Sequence, residues 1–145
     1  MKEAFNLEEE KLMCRKYSDG ADDLNASYEK LQQELKNCLG RTITVTVDRP
    51  LGSYHPKHKD MYYPINYGYI EGLMAPDGEE QDAYILGVDK PVKEFTGRVI
   101  AIVHRNDDIE EKLVVAPENI SFSKEDIERE IHFQEQYFDS YIRMI

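Results

Sequence analysis

Apolar residues recur every three or four positions over much of the first forty residues, which is the spacing of one face of an α-helix. The pattern predicts a short first helix from about residue 7 to residue 17 and a second helix that ends at Gly40. Neither helix carries a group of chemically active residues, so we interpret both as scaffold that covers the domain or buries a surface between copies of the chain. The second helix has the more regular face, made of Leu24, Tyr28, Leu31, Leu35 and Cys38.

After Gly40 the hydrophobic pattern changes to a period of two. Between residues 42 and 47 threonines alternate with Ile or Val, which predicts a strand that delivers Asp48 and Arg49 at its end. Four further short strands are predicted over residues 66–72, 83–88, 99–105 and 112–116. Because only loops separate the strands, the pattern favours an antiparallel barrel or sandwich over a doubly wound parallel sheet.

The end of the chain predicts a long helix. Ser123 and Asp126 have the spacing of a capping box at its start. Five residues at helical spacing mark one face, which Phe133 and Tyr137 widen. We therefore expect an α+β fold, mainly β, with two N-terminal helices and one C-terminal helix. The five residues of the marked face are Ile127, Ile131, Gln134, Phe138 and Tyr141.

Length and charge limit what the protein does. At 145 residues the chain is expected to form one domain, with residues 1–40 as a helical extension and residues 41–145 as the strands and the last helix. The net charge of −11, from 29 acidic and 18 basic residues, argues against nucleic acid or an anionic membrane as the partner. With no long apolar run, we expect a cytoplasmic protein. Cys14 and Cys38 are interpreted as reduced core thiols, with a disulfide between the two helices as the alternative.

A tyrosine-rich strand precedes an acidic turn in the segment YYPINYGYIEGLMAPDGEEQD, residues 62–82. Carboxylates packed this closely repel one another unless a cation neutralises them. Mg²⁺ is the natural candidate, because it prefers oxygen ligands and keeps several waters for phosphate oxygens. A solvated acidic turn is the alternative, since short acidic patterns match by chance. The acids of the turn are Asp77, Glu79, Glu80 and Asp82.

The loop after the first strand, LGSYHPKHKDM, is the most basic part of this acidic chain. His55 and His58 are three residues apart, but without a helix to align them we interpret the loop as solvated and not as a metal site. The functional hypothesis is a mobile basic flap over a phosphate site, with Lys57 and Lys59 as its charges.

Four segments, in order, resemble motifs of the family I soluble inorganic pyrophosphatases. YPINYGYI with the following DGEEQD resembles the family's tyrosine-rich strand and its Asp-Gly-Asp-x-x-Asp turn. Asp48-Arg49 resembles the Asp-Arg that ends the preceding strand, NDDIEEK resembles the second acidic segment, and HFQEQYFDS resembles the family's His-Phe-Phe-Glu-x-Tyr-Lys. The resemblance covers roughly residues 42 to 140 and implies a five-stranded OB-type barrel flanked by helices, with the active site at its mouth.

The resemblance implies Mg²⁺-dependent hydrolysis of inorganic pyrophosphate to two phosphates, with Mn²⁺ as the alternative ion and no organic cofactor. Bound metal would lower the pKa of the attacking water, whose proton Glu79 would receive. The implied metal ligands are Asp77, Glu79, Asp82, Asp107 and Glu110. The implied phosphate-binding residues are Arg49, Tyr67, Lys112 and Tyr137, of which the first three join Glu79 as the catalytic set.

The sequence also departs from the family pattern. The family's Lys-x-Glu strand has no counterpart where the N-terminal helices stand, and Phe138 replaces the lysine that follows the phosphate-binding tyrosine. Glu79 and Glu110 replace aspartates, so each side chain is one methylene longer at a position where the carboxylate must be placed accurately for full rate. These departures leave two alternatives open, a hydrolase of another phosphoanhydride such as a nucleotide or organic diphosphate, and a non-catalytic module that binds metal-polyphosphate. Lys57 and Lys59 are candidates to replace the missing bases.

Individual site residues have structural alternatives. Tyr67 and Tyr137 would serve equally as core aromatic residues, and Asp48 would cap a turn. Lys112 would be a solvated charge paired with a neighbouring acid. Two histidines that occur singly, His104 and His132, are interpreted as structural.

Overall fold

Five strands close into a barrel, and a sixth strand and a helix cover one side of it. The computed structural model describes residues 36–75, 78–106 and 110–144. The barrel follows the order β1-β2-β3-β5-β4 and closes because β4 also pairs with β1, which confirms the predicted five-stranded barrel. In chain order the elements are β1 (Thr42–Arg49), β2 (Asn66–Met74), β3 (Glu80–Ile85), β4 (Glu94–Arg105), β5 (Glu111–Ala116), α1 (Lys124–Glu135) and β6 (Ser140–Met144).

The predicted strands are present, but their pairing and ends differ, and β3 spans Glu80–Ile85 where residues 83–88 were predicted. The pair of β3 and β5 is parallel, although the other barrel pairs are antiparallel as expected. Strand β4 begins at Glu94, before the predicted start at residue 99, and its first part pairs with β1 from Thr46↔Glu94 to Thr42↔Arg98. This part of β4 is mostly exposed, so the hydrophobic pattern gave no sign of it.

The core lies on both sides of the barrel wall. One cluster receives side chains from all five barrel strands, Val45 and Leu113 among them, and so fills the interior. A second cluster holds Val114 together with Ile127 and Ile131, and it lies between the barrel's outer face and α1. Because neighbouring strand residues point to opposite sides, Lys112 lies on the α1 side with Val114. Lys112, one of the predicted site residues, is therefore on the outer face of the wall and not in the barrel interior.

The C-terminal helix begins as predicted and ends earlier. Ser123 and Asp126 form the reciprocal capping box, which confirms the predicted start. The predicted continuation through Phe138 and Tyr141 is wrong, because the chain turns after Glu135 and residues 140–144 form β6. The reason is an open edge: the second half of β4 has no β1 residue beside it, and β6 pairs there antiparallel, with His104 opposite Tyr141.

Only the end of the predicted N-terminal helical region falls within the described residues. Residues 36 and 37 are helical, and Gly40 has a φ of 83°, which lets the chain leave the helix and enter β1 as predicted. The first predicted helix, Cys14 and most of the second helix lie outside the described residues, whereas Cys38 is buried against the barrel interior. No helix in the described ranges is both long enough and apolar enough to cross a membrane.

Gly68 lies where the backbones of β1 and β2 approach closely. A Cβ atom at this position would lie 1.9 Å from the carbonyl oxygen of Thr46, which is backbone and cannot rotate away. We expect Gly68→Ala to lower the free energy of unfolding by about 2 kcal/mol or more, measured by urea denaturation. The control is Glu71→Ala on the exposed part of the same strand, for which we expect a change within about 0.5 kcal/mol. Equal stabilities of the two variants would contradict the close approach.

Candidate active site

Arg49 lies at the end of β1 between two tyrosines. A register shift between Val47 and Arg49 places Arg49 opposite Tyr67 of β2. Arg49 donates a hydrogen bond from Nη1 to the hydroxyl of Tyr63 at 2.7 Å, and its guanidinium carbon is 5.7 Å from the ring centroids of both Tyr63 and Tyr67. Burial by itself would lower the pKa of Arg49, but the two phenols and Asp48 outweigh it and raise the pKa. The aromatic contacts therefore hold a fixed positive charge at this point.

Lys112 of β5 lies at the centre of the site. Its Nζ donates to Asp82 Oδ2 at 2.7 Å and also to Glu110 Oε1, while its side chain is only 3% exposed. Burial alone would lower the pKa of Lys112, but Asp82 and Glu110 raise it well above its usual value. Tyr67 donates its hydroxyl hydrogen to the same Oδ2 of Asp82 at 2.9 Å. The alternative of a solvated lysine is wrong, because Lys112 is a buried ammonium held by two carboxylates.

Arg105, at the end of β4, links this site to the helix. It donates from Nη1 to Glu110 Oε2 at 3.0 Å, and from Nε and Nη2 to the two oxygens of Glu135 at 3.2 and 2.9 Å. Its guanidinium carbon lies 3.5 Å from the centre of the Phe138 ring. Burial would lower the pKa of Arg105, but hydrogen bonding to Glu135 and the two carboxylate charges raise it well above its usual value. Arg105 therefore stays charged, and its Nε, Nη1 and Nη2 all donate to carboxylates.

Buried phenols fill the space between these charged groups. Tyr84 donates to Glu135 Oε2 and accepts a hydrogen bond from Gln134 Nε2 at 2.9 Å. Burial, followed by the charge of Glu135, raises the pKa of Tyr84 well above its usual value. Burial and then Asp82 do the same to the pKa of Tyr67. Both phenols therefore stay protonated and act as hydrogen-bond donors to the carboxylates.

Asp48 shares the electrostatic environment of the site. Desolvation raises its pKa, Arg49 lowers it, and the charge of Asp82 raises it further, so the net shift is upward. The charge of Lys112, like that of Arg49, lowers the pKa of Asp48. The ends of β1, β3 and β5 therefore bring their charged side chains toward one region, although they are far apart in the sequence.

The structure brings together five of the residues that the sequence pointed to, and it separates or leaves out others. Glu79 is exposed in the turn just before β3. Tyr137 lies in the turn after α1 and packs against the core cluster, and none of the hydrogen bonds of the described residues joins its phenol to the site. Asp77 and Asp107 lie outside the described residues. The five that come together are Arg49, Tyr67, Asp82, Glu110 and Lys112.

The basic loop differs from its prediction. The interpretation as solvated is wrong for its histidines, because His55 and His58 are 7% and 9% exposed and their rings stack with centroids 4.5 Å apart. His55 Nδ1 accepts hydrogen bonds from the backbone N–H groups of Lys57 and His58 at 3.0 and 3.2 Å. Its ring also stacks on Tyr63, the partner of Arg49, at 6.5 Å between centroids. The loop therefore packs against the site through its histidines, while Lys57 and Lys59 remain exposed.

Sequence reasoning gave no role to Arg105, Glu135 or Tyr63. Glu135 and Tyr63 lie inside motifs that the resemblance used, but their partners are distant in the chain and only the fold shows them. Arg105 closes a predicted strand just before the second acidic segment, and a basic residue in that place was the available signal. The structural interpretation of His104 agrees with its contacts, since Nδ1 lies 2.7 Å from Glu111 Oε2 and the ring stacks on Tyr141.

Asp82 has the properties of a carboxylate that can accept a divalent cation. Its side chain is 36% exposed, Oδ2 is held by Lys112 and Tyr67, and Oδ1 accepts no hydrogen bond from the described residues. Oxygen donors of this kind suit Mg²⁺. Within residues 36–75, 78–106 and 110–144 there is no group of three or more His, Cys, Asp or Glu side chains arranged to hold a metal ion. Asp82 thus offers an accessible oxygen next to Lys112, and Asp48, which is exposed at the end of β1, is a second carboxylate in the same electrostatic environment.

Comparison with known proteins identifies the fold. No family model matches the sequence, and no curated protein matches it. The crystal structure of the inorganic pyrophosphatase from Ehrlichia chaffeensis is 18% identical to this chain and matches it with a TM-score of 0.57, covering 74% of this chain and 88% of that one. The inorganic pyrophosphatase from Coxiella burnetii is also 18% identical, with a TM-score of 0.51 and coverages of 73% and 84%. The chain therefore has the fold of these inorganic pyrophosphatases, at low sequence identity.

His55 makes the stability of the site depend on pH. Burial, together with the charges of Arg49, His58 and Lys57, lowers the pKa of His55 from 6.5 to about 4. Between these values the unfolded chain binds a proton at His55 that the folded chain does not bind. The free energy of unfolding therefore falls as the pH is lowered through this range. We expect His55→Asn, whose amide oxygen can replace Nδ1 as the acceptor, to lose less stability than the wild type between pH 7 and pH 5, measured by urea denaturation.

Comparing the two proteins isolates the contribution of His55. The raised pKa of Asp48 acts in the opposite direction, but Asp48 is present in both proteins and its effect cancels in the difference. Parallel stability curves for the wild type and the His55→Asn variant would show that the imidazole is not the responsible group.

Proposed function

We propose that this protein is a Mg²⁺-dependent inorganic diphosphatase that hydrolyses pyrophosphate to two phosphates. The observation that carries the proposal is the convergence of Lys112 Nζ and Tyr67 OH on one oxygen of Asp82, beside the guanidinium of Arg49. A carboxylate with one bonded and one open oxygen, next to two fixed cations, suits the binding of a metal-phosphate complex.

The charge balance of the site supports a divalent cation. Among the described residues, the connected groups comprise three cations and four carboxylates, so they have no positive excess with which to bind a polyanion by themselves. Asp77 and Asp107 are further acids that we expect nearby. Added positive charge is needed before a substrate with several phosphate charges can bind to a protein of net charge −11. The cations are Arg49, Arg105 and Lys112, and the carboxylates are Asp48, Asp82, Glu110 and Glu135.

The ion would be held by the carboxylates of the acidic turn and the second acidic segment. Of these, Asp82 fits by its exposure and its open oxygen. Bound Mg²⁺ or Mn²⁺ supplies charge neutralisation and makes a bound water more acidic. Glu110 is less suited, because both of its carboxylate oxygens already accept hydrogen bonds from buried cations. The residues that we propose as ligands are Asp77, Glu79, Asp82 and Asp107.

The side chains of the site would then bind and orient the substrate. Arg49 and Lys112 provide charge for the phosphate oxygens, and Tyr67 provides a hydroxyl that stays protonated. Water attacks one phosphorus atom, the bond from that phosphorus to the bridging oxygen breaks, and the second phosphate leaves with the electron pair. Glu79 is the proposed acceptor of the water's proton, and Tyr137 would contact the second phosphate after a rearrangement of its turn.

Phosphate release from pyrophosphate in the presence of Mg²⁺ tests the proposal. We expect turnover by the wild type that stops when the metal is chelated, and a fall of about 100-fold or more in Asp82→Asn, because the carboxylate charge that faces the ion is lost while the shape is kept. Glu71→Gln removes an equal charge from an exposed position of β2 and should retain full activity. Absence of Mg²⁺-dependent release from the wild type, or equal activity of Asp82→Asn, would overturn the proposal.

The same assay distinguishes the alternatives that the departures from the family pattern leave open. Faster hydrolysis of a nucleoside diphosphate or another organic diphosphate than of pyrophosphate would assign the protein to those substrates. Stabilisation against thermal unfolding by Mg²⁺ and pyrophosphate without any phosphate release would instead indicate a binding module.

A further inference from the structure

Both oxygens of the Glu110 carboxylate are occupied by cations. Oε2 accepts from Arg105 Nη1 at 3.0 Å and Oε1 accepts from Lys112 Nζ, and the side chain is only 10% exposed. Asp82 differs from Glu110, because its side chain is 36% exposed and only one of its oxygens is bonded to described residues. Two acids of the same region are therefore held in different ways, one closed and one open to solvent.

Separating Glu110 from Arg105 would cost free energy. Its side chain is 3% exposed, its Nε and Nη2 form a two-pronged contact with Glu135, and its flat face lies on Phe138. If Glu110 turned toward a metal ion, Nη1 of Arg105 would stay buried without its partner, which is unfavourable for a charged donor. Lys112 would lose a partner at the same time. The packing around Arg105 therefore favours the present position of Glu110.

We propose that Arg105 is a positioning residue that holds Glu110 as the counter-ion of Lys112, so that Glu110 orients the lysine for phosphate and is not a ligand of the divalent cation. The inference rests on the proposed function. Arg105 itself does not touch substrate. It acts through Glu110, and Glu135 fixes Arg105 from the helix side with its two carboxylate oxygens. The structure thus assigns a phosphate-directed role to an acid in the second acidic segment.

Titration with Mg²⁺ alone distinguishes an acid that binds the metal from an acid that serves as the counter-ion of Lys112. Mg²⁺ is titrated calorimetrically, without substrate, into the wild type, Glu110→Gln, Asp82→Asn and Glu111→Gln. We expect Glu110→Gln to keep its Kd for Mg²⁺ within about threefold of the wild type, whereas Asp82→Asn weakens it about tenfold or more, as loss of a ligand does. Glu111→Gln removes the neighbouring charge, which pairs with His104, and should match the wild type.

Steady-state kinetics at saturating Mg²⁺ then tests the positioning role. We expect Glu110→Gln to raise KM for pyrophosphate about tenfold, since Lys112 loses its charged partner, and Glu111→Gln to leave KM unchanged. Arg105→Lys keeps the charge but cannot form the two-pronged contact, so its KM should also rise while its Kd for Mg²⁺ stays the same. Thermal unfolding of each variant shows whether it is folded, and the isosteric Glu110→Gln carries the test if Arg105→Lys is not.

Different outcomes overturn different statements. Weakening of Mg²⁺ binding in Glu110→Gln to the same extent as in Asp82→Asn would make Glu110 a metal ligand and end the inference. An unchanged KM in a folded Arg105→Lys would remove the positioning role. A wild type that binds Mg²⁺ and releases no phosphate would overturn the proposed function, and the calorimetric comparison would still decide whether Glu110 binds the metal.

Discussion

The burial of the Lys112 ammonium is the constraint on which the rest of the site depends. An ammonium with a side-chain exposure of 3% is tolerated only next to carboxylates, and Asp82 and Glu110 supply them. Glu110 is buried in turn and needs Arg105, and Arg105 needs Glu135. Each buried ion without its partner would cost several kcal/mol, so the members are stable only as a set. The set crosses β3, β5, β4 and α1 and therefore fixes how the helix lies on the barrel.

The helix is tied to both cations that we propose for phosphate binding. Gln134 accepts a hydrogen bond from Tyr63, which in turn accepts from Arg49. Glu135, the next residue, holds Arg105 and through it the carboxylate that contacts Lys112. Two consecutive residues near the end of α1 therefore support opposite sides of the site. After Glu135 the chain returns as β6, which completes the edge of β4 beside Arg105.

The acidity of the whole chain and the chemistry that we propose are compatible once a divalent cation is included. The described part of the site has about as many carboxylates as cations, and it orients them through protonated phenols. The chain shares its fold with the inorganic pyrophosphatases from Ehrlichia chaffeensis and Coxiella burnetii.

From the sequence alone, period-two alternation predicted the strands of a barrel or sandwich, because alternation is a local signal. The resemblance of four ordered motifs to the inorganic pyrophosphatases then implied the five-stranded barrel and pointed to Arg49, Tyr67 and Lys112 around Asp82. The predictions were wrong at places where distant segments decide the local structure. Residues 138–144 have apolar residues at helical spacing, but the open edge of β4 makes them a strand. His55 and His58 belong to a polar loop, yet they stack beneath the site next to Tyr63. Only the tertiary structure could show that Arg105, Glu110 and Glu135 form one buried set, since Arg105 and Glu135 are 30 residues apart and their pairing depends on how the strands and the helix pack.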